Sequence, residues 1–205
     1  MAGAFGMEGT GATSSGRRRA GGILVVCVVG AWIALAGRAA AGEEVPEGPG
    51  GAPVFWSPAG LTVEKEIRVA GSPQHAFDAF TGDVSPWWDH HLASAPVELV
   101  IDAKPGGTFH EIFDDSGDGA IHADVIRAKR GEILVLRGPF GFTGHALDLV
   151  HTFTFTADGD STRVKLVIHG AGQLQDGWAD ALSGVWDHFL GRYAEWANTG
   201  RAPAE

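Results

Sequence analysis

Two residues in the second half of the chain, Glu111 and His151, have the side chains best suited to chemistry. Glu111 shares one face of a predicted strand with Phe109 and Phe113, because side chains two positions apart point the same way. His151 shares a strand face with Phe153 in the same manner. If both faces point inward, a carboxylate and an imidazole meet in an apolar interior and could move protons on a bound substrate. The alternative is that each bonds a local backbone group or that Glu111 lies at a rim, since structural ion pairs also involve such residues.

A second cluster is formed by Trp87, Trp88, Asp89, His90 and His91. A zinc site needs about three protein ligands of fixed geometry, and neighbouring side chains diverge from a rigid backbone. We therefore predict that one tryptophan lines a pocket and that the histidines lie on the surface. The sequence predicts no metal site and no cofactor, since it also lacks a phosphate-binding Gly-Lys-Ser/Thr loop and a nucleophile elbow.

The other candidate binding residues are apolar and belong to two further elements. A glycine-rich loop at 138–144 carries Phe140 and Phe142, which could form a lid at the mouth of a pocket. The segment 176–198 repeats apolar residues at spacings of three and four, which is the pattern of a long amphipathic helix. Its residues expected to pack on the sheet and to bound a cavity are Trp178, Leu182, Trp186 and Phe189.

The elements that position these residues follow one another in the order β-α-α-β6-α. A strand at 61–69 precedes a short helix that begins after Ser72 and Pro73, and then a second short helix or turn at 85–88. Six strands separated by turn signals follow, at 97–101, 108–113, 121–129, 132–137, 149–156 and 162–169. The sequence thus predicts an α+β domain in which a curved antiparallel sheet of about seven strands wraps round the C-terminal helix. A cavity between such a sheet and helix is a usual site for a small molecule.

Several short motifs occur in order between residues 61 and 197. They are Ile67-Arg68-Val69-Ala70, Ser72-Pro73, Ala76-Phe77, Ser85-Pro86-Trp87-Trp88, Pro105-Gly106-Gly107 with Phe109 and Glu111, Gly138-Pro139 with Gly141, Thr162-Arg163-Val164, and His169-Gly170. Together they resemble the START-like, helix-grip superfamily known as SRPBCC, and within it the branch of heat-shock-protein ATPase activator homologues. The resemblance implies the helix-grip fold and a pocket for a hydrophobic ligand. It implies no particular activity, because this fold hosts carriers, cyclases, hydrolases and co-chaperones.

The pattern of the first sixty residues predicts an export signal followed by a linker. Residues 1–41 have the pattern of a secretory signal peptide, with arginines at 17–19, an apolar run at 23–36 and alanines at 39–41. An uncleaved membrane anchor at residues 20–37 is the alternative. The proline- and glycine-rich segment 42–60 is typical of a linker. The folded domain is then expected at 61–198, a tail at 199–205, and the protein in the periplasm or secreted.

Net charge and composition limit the classes of partner that the protein could bind. The formal net charge of −10 argues against nucleic acid as a partner, because nucleic-acid binders present a basic face. Membrane association is expected only through the N-terminal segment if it stays uncleaved. The sequence therefore predicts a domain that binds a small apolar molecule, and it leaves the oligomeric state open. The alternative is a cyclase- or hydrolase-like enzyme that uses Glu111 with His151 as acid and base on a hydrophobic substrate.

Overall fold

The computed structural model describes residues 59–204, so the predicted signal peptide and residues 42–58 of the predicted linker lie outside the described residues. Eight strands and two helices follow in order: β1 (Ala59–Ala70), α1 (Pro73–Phe80), β2 (Gly82–Asp83), β3 (Glu98–Ile101), β4 (Thr108–Ile112), β5 (Gly119–Lys129), β6 (Ile133–Gly138), β7 (Leu147–Asp158), β8 (Ser161–Gly172) and α2 (Trp178–Thr199). Neither helix in this part of the chain is both long and apolar enough to cross a bilayer.

The strands form one curved, open antiparallel sheet in the order β1-β8-β7-β6-β5-β4-β3-β2. The first strand of the chain, β1, pairs with the last, β8. Both strands are twelve residues long, and Ala59 pairs with Gly172 and Ala70 with Ser161. On β7 every second residue from Leu149 to Phe155 is buried, so one face of the sheet is an apolar inner face. The helix-grip fold predicted from the sequence is confirmed.

Two details differ from the predicted order of elements. Ser85–Trp88 is a turn rather than a helix, in which the backbone N–H groups of Trp87 and Trp88 both donate to the carbonyl of Val84. The two-residue strand β2 pairs with β3 just before this turn, which brings the sheet to eight strands. The turn presses both indoles inward, and each is at least nine-tenths buried.

Helix α1 begins as its sequence dictates. Ser72 caps the helix by accepting a hydrogen bond from the N–H of His75 at 3.2 Å, and Pro73 occupies the first turn, where no N–H is needed. The buried face of α1 carries Ala76, Phe77 and Phe80, as the sequence predicted.

Helix α2 covers the inner face of the sheet, and its two ends are held differently. In the C-terminal half the hydroxyl of Tyr193 donates to the α1 carbonyl of Ala76 at 2.7 Å, and Asn198 accepts from the N–H of Ala70 in β1 at 2.7 Å. The N-terminal end follows Gly177, which provides no side-chain cap. The indole of Trp178 there stacks on Phe142 of the 139–146 loop, with ring centroids 4.7 Å apart.

Candidate functional site

Glu111 is fully buried, as its strand face predicted, and both of its carboxylate oxygens are engaged. The N–H of Leu92 lies 2.9 Å from Oε1 and 3.0 Å from Oε2, and the N–H of Ala93 lies 2.7 Å from Oε1. His122 Nε2 lies 3.2 Å from Oε2. A buried carboxylate needs such donors to offset its lost hydration. Glu111 therefore ties the segment after β2 to the sheet.

The partner of Glu111 is His122, which the sequence reasoning missed. Strand β5 contains a bulge: Phe109 pairs with Ala123 and His110 pairs with Ile121, so His122 is an extra residue on its strand. The bulge shifts the alternation, so that Ile121 is 56% exposed whereas His122 is 4% exposed. Burial lowers the pKa of His122 below its ordinary value although Glu111 opposes the change. His122 is therefore a neutral donor to the carboxylate at pH 7.

The predicted pairing of Glu111 with His151 is wrong, because His151 has a different partner. The indole Nε1–H of Trp186 donates to His151 Nε2 at 3.1 Å, across from α2 to β7. Burial lowers the pKa of His151 to about 3, so the imidazole is neutral at pH 7. Since Nε2 accepts a hydrogen bond, the single ring proton is on Nδ1. That Nδ1–H is buried and has no hydrogen-bond partner among residues 59–204.

The ring of Phe140 lies directly against His151, with centroids 3.8 Å apart, and lies 6.3 Å from the ring of Trp186. Phe140 is half-buried and has a φ of +46°, the one positive value among the described residues that are not glycine. A left-handed backbone at a bulky residue is strained. Two residues earlier, a Cβ on Gly138 would lie 2.5 Å from Ala123 Cα, so only glycine lets the loop leave β6 this close to β5.

The interior between the sheet and α2 is filled by the protein's own rings. Trp88 stacks on Phe189 with ring centroids 3.9 Å apart. The ring centroid of Phe153 lies 4.5 Å from that of Phe80 and 5.4 Å from that of Trp186. Two shallow surface pockets lie elsewhere, one beside β3 and one at the β4–β5 hairpin. The cavity expected between sheet and helix is thus occupied by side chains in this conformation, as close packing of so many aromatic residues allows.

Most of the residues predicted to line a pocket are brought into this interior or to its edge. Those buried within it are Trp87, Trp88, Phe109, Glu111, His151, Phe153, Leu182 and Trp186. Phe140 and Phe142 lie half-buried at the edge, and Trp178 is buried beside Phe142. Phe113 is the exception, because β4 ends at Ile112 and the N–H of Phe113 donates to the Asp118 carbonyl in the hairpin turn.

This arrangement suits binding better than acid–base catalysis. The oxygens of Glu111 are occupied by backbone N–H groups and by His122, so they do not face a space that a substrate could enter. His151 holds its proton in an apolar environment that keeps the ring neutral. Among residues 59–204, the chemical capacity left at the interior is two unpaired hydrogen-bond donors among aromatic faces, the Nδ1–H of His151 and the indole Nε1–H of Trp87.

No family model and no curated protein matches the sequence, but solved structures share its shape. Protein SA2116 of unknown function from Staphylococcus aureus is 15% identical over 70% of this chain and 96% of that chain, with a TM-score of 0.54. The Aha1 dimer from Colwellia psychrerythraea is 18% identical over 68% of this chain and 98% of that chain, with a TM-score of 0.48. DynU16, from the dynemicin biosynthetic locus, is 21% identical with a TM-score of 0.48; the match covers 69% of this chain and 48% of DynU16. At such identities the likeness shows the fold alone: this chain has the helix-grip fold.

Proposed function

We propose that this domain binds a small, flat, apolar molecule that carries a hydrogen-bond acceptor, at the end of the interior closed by Phe140. The observation that carries the proposal is the unpaired Nδ1–H of the fully buried, neutral His151. A buried donor without an acceptor costs about 1–3 kcal/mol. A guest with an acceptor oxygen would recover that free energy while keeping its rings in apolar surroundings.

Phe140 marks the position that the guest would take. Its ring centroid lies 3.8 Å from that of His151 with the two planes tilted by 36°, so a flat guest that replaced it would contact the same imidazole and the indole of Trp186. The backbone strain at Phe140, on the order of 1–3 kcal/mol, favours its release.

Few bonds hold the loop that would have to move. The N–H of Phe140 donates to the His122 carbonyl at 2.9 Å, and the N–H of Ala146 donates to the Gln173 side chain at 2.8 Å. The N–H of Gln173 donates in return to the Ala146 carbonyl at 3.0 Å. The other backbone hydrogen bonds of Phe142 and His145 are made within the loop and would survive its displacement. We propose that Phe140 and Phe142 act as a lid that opens as a unit.

Binding is tested with a pair of compounds that differ only in the acceptor, fluorenone and fluorene, titrated against tryptophan fluorescence. Fluorenone should bind roughly two- to tenfold more tightly, since a net hydrogen bond contributes about 0.5–1.5 kcal/mol. His151→Phe should reduce this preference while keeping an apolar ring of similar shape, because the donor then left beside the guest is the indole N–H of Trp186, freed by the change. Equal affinities for the two compounds in the wild type and in His151→Phe would contradict the role of His151.

The lid is tested by association rates. Phe140→Ala should speed the association of both compounds, because the ring that must be displaced is gone. Phe113→Ala is the matched control, a half-buried phenylalanine outside the core cluster. Failure of both compounds to bind even to Phe140→Ala would refute the proposed site. Native mass spectrometry of the untreated protein would then identify any small molecule that co-purifies.

We also propose that the protein is exported and acts in the periplasm or outside the cell. The support is in the sequence: the arginines at 17–19, the apolar run 23–36 and the alanines at 39–41. The intact mass of the protein from a periplasmic or secreted fraction should correspond to a chain that begins near Gly42. A full-length chain in the membrane fraction would favour an anchor at residues 20–37 instead.

A further inference from the structure

A cluster of three side chains lies on the surface where the turn after β2 meets α2. Asp89 and His90 directly follow the Ser85–Trp88 turn, and His188 comes from the helix. His90 Nδ1 lies 2.8 Å from Asp89 Oδ1, and His188 Nε2 lies 2.8 Å from Oδ2 and 3.0 Å from Oδ1. The nearest ligand atoms of the three residues all lie within 4.8 Å of one another.

These atoms form a donor set that a transition metal prefers. Two imidazole nitrogens and one carboxylate oxygen are typical of zinc sites that keep an open position. Ligand atoms held about 2.0–2.1 Å from a tetrahedral ion lie about 3.3 Å apart, so small movements of the three side chains would admit an ion. The three side chains are 33% to 44% exposed, so an ion and a water ligand can reach them from solvent.

The backbone beneath the cluster is held in place by packing, which reduces the cost of assembling the site. Trp88 stacks on Phe189 with ring centroids 3.9 Å apart, and these residues directly precede Asp89 and follow His188 in the chain. The indole Nε1–H of Trp88 also donates to the His90 carbonyl at 2.7 Å. The turn and the helix are therefore fixed to each other at the point where the ligands project.

The carboxylate of Asp89 is oriented by Arg192. The Nε of Arg192 lies 3.2 Å from Asp89 Oδ2, and the same group donates to the Trp87 carbonyl at 3.0 Å. Such outer partners of a ligand fix its orientation. Burial raises the pKa of Asp89, but the hydrogen bonds from His90 and His188 outweigh it and hold the pKa below its ordinary value. Arg192 and His188 both lie against Oδ2, whereas His90 lies against Oδ1.

We propose that Asp89, His90 and His188 bind a divalent transition-metal ion of the zinc class, with water completing the coordination. The sequence predicted no metal site here, because Asp89, His90 and His91 are consecutive and their side chains diverge. The two histidines do diverge, since His91 Nε2 lies 3.0 Å from the Trp88 carbonyl, but His90 stays in contact with Asp89. The third ligand is His188, which only the packing of α2 brings into reach.

The test uses the chain without a polyhistidine tag and cobalt(II) as the probe, since its visible absorption reports four-coordinate binding and it quenches nearby tryptophans. One cobalt ion per chain should bind, zinc should displace it, and magnesium should not. Replacing a ligand should weaken binding more than the roughly 10- to 100-fold loss seen for outer partners of a ligand, so His188→Gln should lower the affinity by more than about 100-fold. His169→Gln, an exposed histidine on β8, is the matched control and should bind as the wild type does.

The wild-type protein provides a measurement that does not depend on how the variants fold. Zinc should shift the ring proton resonances of His90 and His188 while leaving those of His169 in place. Unchanged resonances at both positions, or equal cobalt affinity in His188→Gln and the wild type, would overturn the proposal and leave the cluster as a surface hydrogen-bond network.

Discussion

The neutral state of His151 has a measurable consequence for acid stability. Burial lowers the pKa of His151 from the ordinary value of 6.5 to about 3 in the folded protein, whereas the unfolded chain keeps the ordinary value. As the pH falls, the unfolded state therefore takes up this proton first. The stability that His151 contributes is complete above pH 6.5 and is lost progressively as the pH falls towards 3.

The magnitude follows from the size of the shift. Each pH unit over which only the unfolded state is protonated costs 1.36 kcal/mol, so lowering the pH from about 7 to about 4.5 removes about 2.5 kcal/mol through His151 alone. His151→Phe has no such group. The variant also removes the unpaired Nδ1–H but leaves the indole N–H of Trp186 without its acceptor, two changes of about 1–3 kcal/mol each that oppose one another at neutral pH.

Urea unfolding of both proteins at the two pH values measures the effect. The wild type should lose about 2.5 kcal/mol more than His151→Phe does between them. Acid effects on the carboxylates are common to both proteins and cancel in this difference. His169→Gln is the control, and it should lose as much stability as the wild type because it retains His151.

Two results would refute the reasoning. One is a parallel loss of stability in the wild type and in His151→Phe. The other is a direct one: if the ring proton resonance of His151 titrates near pH 6.5 in the folded wild type, the imidazole is not held neutral by burial.

Three further predictions rest on other contacts. Gly138→Ala should lower the free energy of unfolding by about 1–3 kcal/mol because its Cβ would overlap β5, while Gly144→Ala, with nothing within 4 Å, should not; equal urea midpoints would contradict this. Glu111→Gln should cost about 1–3 kcal/mol, since an amide cannot accept from every donor that the carboxylate serves. The same change should lower the pKa of His122 further in an NMR titration, because the carboxylate raises it; an unchanged pKa would argue against the pair. Tyr193→Phe should cost about 0.5–1.5 kcal/mol at neutral pH by removing the hydrogen bond that the hydroxyl donates to the Ala76 carbonyl. Burial raises the pKa of Tyr193, so above pH 10.0 the wild type should lose its advantage; a constant difference would count against the burial of the hydroxyl.

Local patterns were enough to predict the fold. The alternation along β1 and β7, the cap at Ser72 and the aromatic stripe of α2 each identify an element and its buried face. These signals depend on neighbours in the chain, so they survive without knowledge of the tertiary structure. The same alternation predicted correctly that Glu111 and His151 point inward.

The pairing of these groups could not be read in the same way. The bulge that turns His122 towards Glu111 depends on the register between β4 and β5, which no local pattern specifies. His188 joins Asp89 because α2 packs over the turn after β2, a contact between residues far apart in sequence. Three-dimensional packing decides which partner a buried polar group has, and the alternation pattern alone does not specify that partner.

The two ends of α2 are attached to the rest of the domain by different kinds of contact. Hydrogen bonds attach its last turns to β1 and α1, whereas its first turn contacts the 139–146 loop through the ring of Trp178 and begins without a side-chain cap. Thermal fraying should therefore start at Trp178 and die out before Tyr193, and backbone amides early in the helix should exchange with deuterium sooner than those near its end. A ligand would then enter and leave the apolar interior beside Phe142, while the C-terminal end of α2 stays fixed.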